Sequence, residues 1–70
     1  MRDDTSIDNH LARLREKRGV SAAALAKLTG VSRQTIYAIE AGSYVPNTTL
    51  ALKLARALET TVEALFQLTQ

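Results

Sequence analysis

The stretch from Ala26 to Ile36, Ala-Lys-Leu-Thr-Gly-Val-Ser-Arg-Gln-Thr-Ile, constrains this chain more than any other. It reads as the end of one short helix, a tight turn on Gly30 and the start of a second helix. Ala26 is small enough to let a crossing helix approach, and Gly30 takes a positive φ at little cost. Val31, Ile36 and Ile39 supply the apolar contacts between the two helices. Ser32 is placed to cap the second helix, which leaves Arg33, Gln34 and Tyr37 facing out.

Two helices meeting steeply across a glycine turn form a helix-turn-helix, and the second helix of that motif suits base reading in the major groove of DNA. Charge distribution agrees with a phosphate-rich partner. The net charge of the 70 residues is only +2. Residues 9–56, however, carry eight bases (Arg13, Arg15, Lys17, Arg18, Lys27, Arg33, Lys53, Arg56) against Glu16 and Glu40. Acids collect at the ends, at Asp3, Asp4 and Asp8 and again at Glu59 and Glu63. A basic body with acidic ends fits binding to phosphates, although solvated helical proteins share the pattern.

Length allows one domain with a modest core. There is no cysteine and a single histidine, His10, so neither disulfides nor a metal site is expected. His10, without carboxylates at metal spacing, reads as a surface residue. No apolar run approaches a membrane span and the acidic start does not resemble a signal peptide, so the expected location is the cytoplasm. No nucleophile–base pair, paired carboxylates or glycine-rich phosphate loop is present, and no enzyme activity, cofactor or small-molecule ligand is expected.

Residues 1–6 lack periodicity and are expected to be a disordered tail, with one domain over residues 7–70. Helix one starts near Asp8, or a turn earlier if Ser6 caps it; Ile7, Leu11 and Leu14 form its buried face and Gly19 ends it. Ser21 caps helix two over Ala22 to Thr29, and helix three runs from Arg33 to about Ala41. A loop over residues 42–47 follows, with Pro46 excluding helix before it. Asn47 or Thr48 caps helix four to Leu58, burying Leu50, Ala51, Leu54, Ala55 and Leu58. Thr61 caps a last helix from Val62 to about Leu68. No strand is expected: the fold class is all-α, a five-helix orthogonal bundle.

The blocks Leu14-Arg15, Arg18-Gly19, Leu25-Ala26, Gly30 to Ile36, Ile39-Glu40-Ala41-Gly42, Pro46 and Val62 to Phe66 stand in one order across most of the chain. Taken together they resemble the DNA-binding domain of the Cro and phage-repressor class, the xenobiotic-response-element type with a lambda-repressor-like fold. The resemblance implies an ion pair between Arg15 and Glu40, where a guanidinium fork meets a carboxylate. It implies base contacts from Arg33, Gln34, Tyr37 and Ala38, with Arg suited to guanine and Gln to adenine. Tyr37 could instead pack against Tyr44 as a rim aromatic. Phosphate contacts would come from Ser32, Thr35, Ser43, Tyr44 and Asn47, and from the amides opening helices two and three.

Three positions depart from the class. Ala22 stands where many relatives carry Gln, and Ser43 where many carry Lys or Arg, so each domain has fewer phosphate contacts. Arg13, Lys17 and Arg18 either compensate or form a solvated face. Glu59 stands where relatives place Gly just past helix four, a left-handed position that costs a side chain on the order of 1 kcal/mol. Leu52 lies off the buried stripe of helix four and Leu68 beyond the last core turn. With Phe66 they either form a homodimer interface, which would suit a near-palindromic operator, or are scattered surface residues. The function this implies is a sequence-specific double-stranded-DNA-binding regulator acting as a repressor. The competing reading is a protein-interaction or antitoxin-like module on the same bundle, whose exposed helix would more often carry Leu, Met or Phe.

Overall fold

In the computed structural model, which describes residues 7–69, five helices and a short two-stranded ribbon surround one core. In chain order these are β1 (Ile7–Asn9), α1 (Leu11–Lys17), α2 (Ala22–Thr29), α3 (Arg33–Glu40), α4 (Thr48–Ala57), α5 (Val62–Leu65) and β2 (Phe66–Leu68). The expected tail over residues 1–6 lies outside the described residues.

Four helices begin as their cap residues dictate. Ser21 Oγ accepts from the Ala24 amide (3.0 Å), Ser32 Oγ from Thr35 (3.0 Å), Asn47 Oδ1 from Leu50 (2.8 Å) and Thr61 Oγ1 from Ala64 (3.1 Å). Each satisfies an amide that the helix itself leaves without a partner. Between α2 and α3, Gly30 sits at φ 77°, and its amide and that of Val31 both donate to the Ala26 carbonyl (2.9 and 3.1 Å). That double closure turns the chain from one helix into the next across three residues, Gly30, Val31 and Ser32.

Leu11, Leu25, Ile36, Ile39, Leu54, Leu58 and Leu65 are fully buried, and small Ala22, Ala26 and Ala55 let the helices approach between them. The core therefore receives at least one large side chain from every helix. Thr29 is the one buried polar side chain among the described residues, and its hydroxyl donates to the Leu25 carbonyl one turn back (2.8 Å).

The ends of the domain correct the sequence reading. The domain is mostly helical with five helices, as expected, but the expectation of no strand does not hold, because β1 and β2 pair antiparallel with Ile7 opposite Leu68, Asp8 opposite Gln67 and Asn9 opposite Phe66. Helix one starts at Leu11 rather than near Asp8, and Ile7, expected on its buried face, is an exposed strand residue. The Asn9 side chain explains the late start: its Oδ1 accepts from the Leu11 amide (3.0 Å) while the His10 amide donates to the Leu65 carbonyl (2.8 Å). His10 is accordingly half-buried rather than a free surface residue. At the other end α5 stops at Leu65, where Phe66 turns to extended backbone (φ −134°, ψ 127°) and continues as β2.

Candidate nucleic-acid interface

α3 buries Ile36 and Ile39 and turns its remaining face outward. Arg33 and Gln34, in its first turn, are exposed, Tyr37 is half exposed, and Thr35 and Ala38 are half-buried. A shallow depression beside the helix is lined by Val31, Ser32, Gln34, Thr35, Ala38 and Tyr44. Five residues singled out from sequence thus line one surface. Arg33, Tyr37, Ser43 and Asn47 lie outside that depression.

The loop after α3 is stapled to the helix rather than loosely attached. The Ala38 carbonyl accepts from the Ser43 amide (3.0 Å), the Tyr44 amide (3.3 Å) and the Ser43 hydroxyl (3.2 Å). Tyr44 is therefore held against the exposed flank of α3, while the Ser43 hydroxyl proton is directed inward. Ser32 and Thr35 share a hydroxyl–hydroxyl hydrogen bond (2.9 Å) next to the helix N-terminus, where amide dipoles favour an anion. Asn47 Oδ1 is used by its cap, which leaves its Nδ2 as the group able to meet an acceptor.

Arg15 and Glu40 fix the far end of α3. Arg15 Nε donates to Glu40 Oε2 (2.7 Å), one Nη donates to Oε1 (3.3 Å) and the other to the Val20 carbonyl (3.1 Å). Both side chains are nearly covered, with 11% and 10% of their surface exposed. The hydrogen bond to Glu40 raises the Arg15 pKa above its ordinary value, against the opposing effect of burial. Arg18 pairs at the surface with Glu59 Oε1 (3.3 Å) and donates to the Glu59 carbonyl (3.2 Å), with 48% of its side chain still exposed. Glu59 itself is left-handed at φ 55°.

With the helix pair, the glycine turn and the outward polar face in place, a helix-turn-helix family model matches residues 11–65. This chain belongs to the helix-turn-helix family. It is of the Cro and phage-repressor, xenobiotic-response-element type, a class of DNA-binding transcriptional regulators and not of enzymes. The helix-turn-helix relatives include the uncharacterised HTH-type transcriptional regulator YgzD of Bacillus subtilis, 42% identical over 62 residues, covering 89% of this chain and 94% of that one. An uncharacterised HTH-type transcriptional regulator of Methanocaldococcus jannaschii is 43% identical over 60 residues, 86% of this chain and 91% of the relative. A third, from Archaeoglobus fulgidus, is 44% identical over 52 residues, 74% of each chain.

On this helix-turn-helix domain a second surface is apolar. Leu52 and Leu68 are 58% and 70% exposed, and Phe66 is half-buried. Leu52 and Phe66 line an open cleft together with Ile7, Val45, Pro46 and Val62; Leu68 is placed opposite Ile7 across the ribbon. Sequence reasoning missed Ile7 and Val45 here. The helical period places Ile7 on helix one, and Val45 is one apolar residue in a loop, with no periodicity to mark it. It also missed Asn9, whose Nδ2 donates to the Ile39 carbonyl at the end of α3. Among the described residues no helix is long and apolar enough to cross a membrane, and no group of His, Asp and Glu is arranged to hold a metal ion.

Proposed function

We propose that this regulator reads double-stranded DNA as a homodimer and represses transcription in the cytoplasm by occluding a promoter. α3 enters the major groove by its N-terminus. Arg33 and Gln34 address base edges, with Tyr37 and Ala38 one turn further along. Ser32, Thr35, Tyr44 and Asn47, with Ser43 after rotation of its hydroxyl, hold the flanking phosphates. Leu52, Phe66 and Leu68 meet their copies across a twofold axis, which would set two α3 helices about 34 Å apart on a near-palindromic site.

One observation carries the reading of the groove. Arg15 is committed to nearly covered Glu40, whereas Arg33 opens α3 exposed, with no ion pair among the described residues. A helix whose first turn presents an unpaired guanidinium and an amide side by side is equipped for bidentate contacts with bases. The test is selection of bound duplexes from random DNA. A specific sequence should emerge, and Arg33→Ala should relax preference at one base pair per half-site, at a cost of about 1–3 kcal/mol there. No enriched sequence, or an unchanged preference in Arg33→Ala, refutes the assignment.

A further inference from the structure

Asn9 lies at the opposite end of α3 from the bases, yet its side chain joins three elements. Its backbone is paired with Phe66 in the ribbon, its Oδ1 accepts from the Leu11 amide that opens α1, and its Nδ2 donates to the Ile39 carbonyl in the last turn of α3. The Ile39 carbonyl also accepts from the Gly42 amide (3.0 Å), so both of its acceptor directions are occupied. Carbonyls in the last turn of a helix have no partner within the helix. Here one is met by a side chain more than a helix away in sequence, on a strand that is itself held in register.

We propose that Asn9 is a positioning residue for DNA reading, clamping the C-terminal turn of α3 to the ribbon so that Arg33 and Gln34 present at a fixed pitch. This rests on the DNA-reading role proposed above. Eight residues of α3 span about 12 Å, so a tilt of about 10° about its C-terminal end carries the first turn about 2 Å. Hydrogen bonds to base edges do not survive such a shift, whereas salt-dependent attraction to phosphates does. Arg15 and Glu40 hold the adjacent residue of α3 to α1, but through two flexible side chains. The Asn9 clamp acts directly on the backbone of the helix, from a side chain with two rotatable bonds.

Two substitutions separate the clamp from the cap. Asn9→Asp keeps an oxygen for the Leu11 amide and removes the donor to Ile39; Asn9→Ala removes both. Ala57→Gly in α4 serves as a control that lowers the thermal midpoint without touching α3. For each folded variant, affinity is measured for the duplex that wild-type protein selects and for a shuffled duplex of the same composition. Both Asn9 variants should lower the ratio of the two affinities by on the order of tenfold, about the worth of one directional contact, and change shuffled binding no more than a surface charge would. Ala57→Gly should leave the ratio unaltered. An unchanged ratio in Asn9→Asp, or an equal fall in Ala57→Gly, overturns the proposal.

Exchange of the Asn9 side-chain amide protons in wild-type protein gives a second reading that needs no variant. They should exchange more slowly than those of exposed Gln67 on the paired strand, and equal rates overturn the clamp. Failure of the wild-type selection itself would instead count against the DNA-reading role, since the exchange measurement stands without DNA.

Discussion

Single side chains in this domain differ widely in what they contribute, and exposure decides most of it. Arg15 and Glu40 hold two hydrogen bonds with about a tenth of each side chain in contact with solvent. Removing one partner leaves the other nearly covered and unpaired, so Arg15→Ala should destabilise by roughly 3 kcal/mol in chemical denaturation. A loss below about 1 kcal/mol would mean that Glu40 turns to water at no cost. Arg18 and Glu59 form a pair of the opposite kind, 48% and 78% exposed, and such a pair contributes little. Glu59 meanwhile carries a left-handed backbone at φ 55°. Glycine there relieves the strain, gives up the weak carboxylate contact and keeps the carbonyl that Arg18 also bonds. Glu59→Gly should therefore stabilise by about 0.5 kcal/mol, raising the thermal midpoint by about 2–4 °C. A midpoint that falls would show that Arg18 and the Glu59 carboxylate matter more than the backbone.

Elements differ in how plainly their residues announce them, and the difference is physical. α2 and α3 were legible because three independent signals coincide in each, a cap residue, apolar spacing at helical period and a glycine stop, and α4 because the first two do. Ser21, Ser32, Asn47 and Thr61 all cap where their sequence places them. The ribbon was not legible. Three-residue strands such as Ile7–Asn9 and Phe66–Leu68 are too short to show alternation, and their pairing joins segments nearly sixty positions apart. Local propensity cannot report a partner that distant, and a helix period fits Ile7, Leu11 and Leu14 equally well. The candidate site divides the same way. Arg33, Gln34 and Tyr37 follow from their place on α3, whereas Asn9 is defined only by what the fold brings to it. The turn between α2 and α3 is the element on which the rest depends. A side chain at Gly30 would meet nothing within 4 Å, so its cost is confined to the backbone at φ 77°. Gly30→Ala should lower stability by about 1 kcal/mol and leave the folded domain able to bind DNA. A much larger loss, or a folded variant without binding, would mean that the turn has changed course.

At the scale of the whole molecule, one domain presents few groups to the sugar-phosphate backbone. Ala22 and Ser43 supply no long polar or cationic side chain, and the Ser43 hydroxyl proton points to Ala38. On the dimeric reading proposed above, useful affinity comes from two domains on one site, joined through the apolar cleft beside the ribbon. Leu52 tests this without disturbing the fold, because it is 58% exposed on α4 and glutamate is a good helix former. Leu52→Glu should unfold within about 0.5 kcal/mol of wild type, as surface substitutions do. In a twofold interface, however, it would bring two like charges into an apolar contact and raise the dimer dissociation constant at least about tenfold. Binding to the full selected site should weaken with it, and the dependence of log affinity on log salt should fall to about half the wild-type slope, as expected when one domain instead of two displaces counterions. A half-site duplex should not distinguish the two proteins. Light scattering that finds Leu52→Glu as dimeric as wild type would place the interface elsewhere, and a wild-type protein monomeric both free and on its selected duplex would remove the dimer altogether.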